Sequence, residues 1–232
     1  MATQELNPVR KNNEDLKTGG DRTPRTLLKF FDLFAKLYEI KRQGWIKRGI
    51  KNPESVADHS LEMAIEALPE ISQRGLNRGR VIGMIFVHDL PEIISGDPTP
   101  YDEIPDEDLP RALQKWTPPS KEALERKKNQ ESAALKKVTK NLPRSLRTEI
   151  RSLWNEYEDG ETEEAKLVHQ LDMRQRLSQA MRYRDLEGAK FPIAAFIDEA
   201  LQSDDPELRK QAEKLKMTYK GFLGRINRFF IP

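Results

Sequence analysis

The chain has 232 residues and a mass of 26.9 kDa, and its 40 Lys and Arg nearly balance its 38 Asp and Glu, for a net charge of +2. A chain of that size can bury about 70% of its extended surface, enough for one substantial core, and a near-neutral balance lacks the basic excess of a dedicated nucleic-acid binder. With no cysteine, disulfides, thiolate zinc sites and thiol nucleophiles are excluded, and no stretch reaches the roughly 18 apolar residues of a membrane span. The expectation is a cytoplasmic protein with no membrane or nucleic-acid partner.

Residues 1–24 are polar, with a Gly-Gly pair and two prolines. They bury too little apolar area to offset chain entropy and read as a flexible tail. From Leu27, Phe30, Phe31, Phe34 and Leu37 fall at helical spacing, which predicts a helix to about Arg42 with its phenylalanines in the core. Gly44 and Gly49 bracket a short connector, GWIKRG. Ser55-x-x-Asp58 then has the form of a capping box, opening a helix that Pro69 should end near Leu68. Val81–Val87 is apolar all round and fits a strand or a buried helix by periodicity alone. Helical flanks and the lack of a strand partner favour a helix continuing through His88-Asp89.

Ile104–Ser120 holds four prolines and reads as a loop or irregular excursion over 104–120. Lys121–Thr139, Pro143–Tyr157, Thr162–Arg184 and Phe191 to about Gln202 read as helices, and a last one opens at Asp205-Pro206 with proline at the first helical position. The closing FLGRINRFFIP is apolar enough to need a partner surface, on the body or on a second subunit. The expected architecture is one all-α chain of seven or eight helices in total, a bundle over 25–202 with a tail over 1–24 and a C-terminal helix and apolar end over 203–232.

Only three histidines are present. His88-Asp89 directly follows the apolar run, where a buried carboxylate costs several kcal/mol unless it is paired or bound to metal. The plainer reading is that the run ends there and the pair meets water. Glu92 lies four residues beyond His88 and three beyond Asp89, so a continued helix would group all three, with Pro91 as a kink. Gly96 follows as a C-cap, and Asp97 opens a turn. This group is rich in ligands but completes neither a tetrahedral nor an octahedral site. His59 sits just past the capping Asp58, and Asp172 lies on the apolar stripe of its helix. Each could add a ligand or be satisfied locally; His169 reads as a solvated neighbour.

His59, His88-Asp89 and Asp172, in that order on successive helices, resemble the H…HD…D signature of HD-domain metal-dependent phosphohydrolases. The segments GWIKRGIKNPESVADHS, VHDLPEIISGDPTPYD and AKLVHQLDMRQRLSQAMRYRDLE resemble the HD-domain 5′-deoxynucleotidases, over roughly Leu28 to Leu186. The resemblance implies an HD-domain helical bundle in which His59, His88, Asp89 and Asp172 bind a divalent cation. Mn, Co, Fe, Ni and Zn all suit such mixed imidazole and carboxylate ligands. It further implies that Glu92 and Asp97 act at the reaction centre, that Trp45 abuts the nucleoside, and that Arg42 or Arg48 holds the phosphate. Family habit and the apolar C-terminus suggest a homodimer.

Chemistry points the same way. Phosphate-monoester hydrolysis demands up to roughly 25–28 kcal/mol of barrier reduction, whereas general acid–base catalysis alone supplies about 3–5 kcal/mol. A cation that acidifies water and polarises a phosphoryl oxygen fills more of that gap. The expected function is therefore metal-dependent removal of the 5′-phosphate from (deoxy)nucleoside monophosphates. The alternatives are an HD-type hydrolase of nucleoside triphosphates or cyclic nucleotides, and a non-catalytic helical adaptor.

Overall fold

Ser55, Asn77, Ser120 and Thr162 each turn a side-chain oxygen onto the backbone N–H three residues ahead, and each opens a helix. In the computed structural model, which describes residues 24–188 and 191–229, the elements follow in order. They are α1 (Pro24–Glu39), α2 (Gln43–Ile46), α3 (Val56–Arg74), α4 (Arg78–Val87), α5 (Glu92–Ser95), α6 (Leu109–Ala112), α7 (Lys121–Thr139), α8 (Arg144–Asp159), α9 (Glu163–Glu187), α10 (Ala194–Leu201) and α11 (Pro206–Phe229). The described residues contain no strand, and the eight longer helices match the number expected, with α2, α5 and α6 as added single turns. The tail expected over 1–24 and the side chains of the apolar end lie, apart from Pro24 in α1, outside the described residues.

Two boundaries differ from expectation, each for a local reason. The helix opened by the Ser55–Asp58 capping box runs through Pro69 to Arg74 and ends at Gly75, whose φ of 66° is the left-handed cap that a glycine adopts without strain. Pro69 removes the bond to the carbonyl of Ile65, which lies on the exposed side of the helix, while Ala67 and Ile71 are buried and hold the helix down. Helix α4 stops at Val87 instead of continuing through His88-Asp89. Pro91 has no N–H for the Val87 carbonyl, which accepts from Leu90 in a tighter turn, and α5 follows. The 104–120 excursion is irregular apart from α6 and is anchored by the buried Leu113.

The core has three parts. Met63, Met84, Ile85, Leu167 and Leu171 knit α3, α4 and α9 together. Helix α4 approaches α8 so closely that a Cβ on Gly83 would lie 2.8 Å from Leu153 Cδ1. Leu37, Val56, Leu90, Leu135, Ile150 and Trp154 join α1, α3, α7 and α8. Of the α1 phenylalanines, Phe34 packs against this group, but Phe31 is 64% exposed, contrary to the expected core position. Trp45, Tyr183, Phe196, Leu208 and Ala212 join α2, α9, α10 and α11. An isolated antiparallel bridge, Lys41 to Ser55, pins the connector after α1 to the start of α3 through Arg42 N to Glu54 O at 3.1 Å and Val56 N to Ile40 O at 3.0 Å.

Candidate metal centre

The caps and the apolar faces bring His59 from α3, His88-Asp89 from the end of α4 and Asp172 from α9 to one place. His59 Nδ1 lies 2.7 Å from Gln175 Oε1, and His88 Nδ1 lies 2.7 Å from the Ile85 carbonyl oxygen. Both partners accept, so each ring carries its proton on Nδ1 and turns Nε2 inward. Those two Nε2 atoms are buried and have no hydrogen-bond partner. His59 Nε2 stands 3.2 Å from Asp172 Oδ1 and 4.0 Å from Asp89 Oδ2, and His88 Nε2 stands 3.2 Å from the same Asp89 oxygen.

Lone pairs of neutral imidazoles facing carboxylate oxygens repel, and burial sharpens the repulsion. Something positive belongs between them, either a proton on each ring or a cation. His59, His88 and Asp89 offer ligand atoms all within 4.8 Å of one another, and Asp172 adds a fourth donor. Two imidazoles and two carboxylates are the donor set of a first-row divalent metal, so the residues present fit such an ion. Tyr157 sets its ring edge on His88 at 5.4 Å and stacks on His169 at 4.2 Å. His169 was expected in solvent; it is half-buried instead, and its Nε2 is 2.8 Å from the Tyr157 carbonyl, which makes it a prop behind His88.

Arg42 closes the other side. Its Nη1 donates to Asp89 Oδ2 at 3.0 Å and to Asp97 Oδ1 at 3.1 Å, and lies 3.8 Å from Glu92 Oε1. The second Asp97 oxygen accepts from the Gln43 backbone N–H at 2.5 Å. Asp97 reaches that point because Gly96 turns the chain at φ 71° and ψ −171°, a region open essentially to glycine alone. Glu92 is 5% exposed and keeps one carboxylate oxygen without a hydrogen-bond partner.

Charge follows geometry. Burial pulls the His88 pKa down, but Asp89 outweighs it and lifts the ring above its ordinary 6.5. Burial opposes ionisation of Asp89 and Asp172, yet His88 and Arg42 hold the first, and Arg176 and His59 the second, well below the usual carboxylate range. Glu92 goes the other way, raised well above 4.5 by burial and then by Asp89 and Asp97. A carboxyl group pushed toward its protonated form thus sits beside ones held toward ionisation, the division of labour that acid–base chemistry uses.

Two residues named for the substrate lie elsewhere. Trp45 is 3% exposed, stacks on Phe196 at 5.0 Å, meets Tyr183 edge-on at 5.2 Å and donates its indole N–H to Glu54 Oε1 at 2.8 Å. The single turn of α2 lays it into the core, so it is not the open wall of a nucleoside pocket. Arg48 donates to the Gly44 carbonyl at 2.9 Å and to Tyr101 Oη at 3.2 Å, with its guanidinium over Phe196, and Arg42 is the arginine among the carboxylates. Three residues that the sequence reading passed over touch the site: Gln175 and Glu54, treated below, and Arg176. Arg176 bridges Asp172 at 3.3 Å and Glu199 at 3.0 Å. An Asp followed four residues later by Arg on one helix was the available signal.

A family model described as HD domain matches residues 34–216, most of the chain and every residue of this cluster. The chain belongs to the HD domain family. This HD domain protein is 37% identical over 191 residues to 5′-deoxynucleotidase HDDC2 of Mus musculus, covering 82% of the chain and 86% of that protein. It is 36% identical over 193 residues to 5′-deoxynucleotidase HDDC2 of Homo sapiens, covering 83% and 85%. Among solved structures, a conserved hypothetical protein of Pyrococcus furiosus aligns with a TM-score of 0.56 at 27% identity, over 82% of this chain and 99% of the other. A protein of Magnetospirillum magnetotacticum described as a predicted metal-dependent phosphohydrolase shares the fold, with a TM-score of 0.59 at 22% identity over 84% and 91%.

Proposed function

We propose that this HD domain protein is a divalent-metal-dependent 5′-deoxynucleotidase that removes the 5′-phosphate from deoxynucleoside monophosphates. The observation that carries this reading is the pair of inward, unpartnered Nε2 atoms set against Asp89 and Asp172, with an arginine and two further acids alongside. The substrate class is supported by the names of the HDDC2 relatives. When bound, a divalent cation supplies Lewis acidity toward a phosphoryl oxygen and a water acidified toward neutral pH.

The chain's own residues do the rest. His59, His88, Asp89 and Asp172 hold the cation. Arg42, among the carboxylates, presents the charge that meets the phosphate. Asp97, fixed by the Gln43 N–H, orients the attacking water and takes its proton. Glu92, whose carboxyl burial and the neighbouring Asp89 and Asp97 push well above the ordinary range, delivers a proton to the departing 5′-oxygen. A homodimer accords with the exposed Leu61, Ile65 and Leu68, which line the outer face of α3 at helical spacing. A cytoplasmic setting accords with a chain free of cysteine.

The test is a panel of dAMP, dGMP, dCMP, dATP and cyclic AMP, each with Mn²⁺, Co²⁺, Fe²⁺, Ni²⁺ or Zn²⁺, read for orthophosphate and pyrophosphate. Expected are orthophosphate release from the monophosphates, its loss on chelation, and its absence in a Glu92→Gln variant that still binds metal. Release confined to dATP or cyclic AMP, or hydrolysis indifferent to chelation, would refute the proposal.

A further inference from the structure

Gln175 lies on α9, one residue short of a full turn beyond Asp172, and is 1% exposed. Its amide nitrogen is 2.8 Å from Glu54 Oε2 and 3.1 Å from Glu62 Oε2, and its oxygen is 2.7 Å from His59 Nδ1. The orientation of this amide is not free. Flipped over, it would set a carbonyl oxygen against two carboxylates and lose both donations. The two glutamates therefore demand the NH₂ group, which leaves only the oxygen for His59, and an oxygen accepts only from an Nδ1–H tautomer.

Glu54 is itself held from three sides. Its Oε1 accepts from Trp45 Nε1 at 2.8 Å, its backbone N–H donates to Tyr183 Oη at 2.8 Å, and its carbonyl accepts from Arg42 N at 3.1 Å. A continuous chain of hydrogen bonds thus runs from the indole in the core, through Glu54 and Gln175, to the imidazole whose Nε2 faces Asp172. Groups that fix the tautomer and aim of a metal-ligating histidine govern metal affinity nearly as strongly as the ligands do.

We infer that Gln175 is a positioning residue of the metal centre, and that Glu54 and Trp45 act through it: the relay locks His59 with Nε2 as the ligand atom. This assigns Trp45 a role in holding the metal centre in place of contact with a nucleoside. The inference rests on the proposal that the centre binds a divalent cation, and not on the identity of the nucleotide.

The experiment measures the Mn²⁺ dissociation constant of the full chain by calorimetry, alongside the melting temperature of the metal-free protein. Gln175→Met, which keeps length and loses both roles of the amide, should weaken Mn²⁺ binding about 10–100-fold while the metal-free protein stays folded. Gln175→Glu, which keeps an acceptor for His59 but sets an oxygen against Glu54, should recover binding only when Glu54→Gln returns an amide donor opposite it. Trp45→Phe, which keeps an aromatic ring and loses the N–H, should weaken binding less, and should add nothing in the Gln175→Met background. A Gln175→Met protein that binds Mn²⁺ as tightly as wild type overturns the inference, as does a Trp45→Phe effect that multiplies fully with it. If Gln175→Met does not fold, ¹⁵N NMR of neutral His59 in the metal-free wild type reads the tautomer directly: Nδ1–H supports the relay and Nε2–H overturns it. Dissociation constants unchanged by the variants with deoxynucleotide hydrolysis intact defeat the relay alone, whereas the expected pattern without hydrolysis defeats the proposed substrate and spares the relay.

Discussion

Glu131, on the inward face of α7, is 7% exposed, and the ammonium of Lys127 lies 3.5 Å away one turn earlier. Burial lifts its carboxyl to about 7, with Lys127 pulling the other way and Glu158 and Asp89 adding to the rise. A folded pKa above the ordinary 4.5 means that ionisation costs stability. That cost is absent below about pH 4, grows as pH climbs from there to about 7, and is constant beyond. Glu131→Gln should therefore leave stability unchanged near pH 4 and raise it by roughly 1–3 kcal/mol near pH 8, which urea unfolding at the two pH values will measure. A variant less stable than wild type near pH 8 would mean that the ion pair with Lys127 outweighs the burial. At this scale the sequence was legible where chemistry is unusual for its place. His88-Asp89 stood out because a charged pair followed a run that had to be buried. Gln175 did not, because a glutamine in a polar helix is ordinary until folding brings it His59 and Glu54 from 116 and 121 residues away.

The long helices were readable from their apolar periods, to which α3, α4, α7 and α9 add a capping side chain. Lys121–Thr139 begins and ends where its cap and period place it. The single turns α2 and α5 were not, since four residues carry no period, and α5 exists only because Pro91 withholds a donor. That short turn matters to the site, because the α5 cap at Gly96 sends Asp97 back to Arg42 and Gln43. Gly96→Ala should cost about 1–3 kcal/mol of strain. Since the strain falls on Asp97 and not on the histidines, turnover of a deoxynucleotide should drop by at least tenfold while the Mn²⁺ dissociation constant moves by no more than about threefold. Equal losses in both would mean that the turn supports the metal ligands too.

Across the whole molecule, the four proposed ligands hang on α3, the end of α4 and α9, which share the core of Met63, Met84 and Leu171. A cation there ties those helices together, and anything that binds only the folded form stabilises it by mass action. Added Mn²⁺ should raise the melting temperature, and EDTA should reverse the rise. The rise should be larger near pH 8 than near pH 6, because a proton on His88 competes for the same nitrogen and its pKa lies above 6.5. The metal-free protein has the opposite slope from this group. A raised folded pKa means that the His88–Asp89 attraction stabilises fully below about pH 6.5 and fades as pH passes the folded value. Differential scanning fluorimetry with and without metal across that range checks both signs, and a metal-induced rise that grows as pH falls would contradict them.

One oxygen, Asp89 Oδ2, is claimed at once by the guanidinium of Arg42 at 3.0 Å, by His88 Nε2 at 3.2 Å and, more distantly, by His59 Nε2 at 4.0 Å. An ion held by the proposed ligands would compete with Arg42 for that atom, which would leave the arginine's positive charge available to an incoming anion. On the proposed function, occupancy at one station would then ready the next, with the metal entering ahead of the nucleotide.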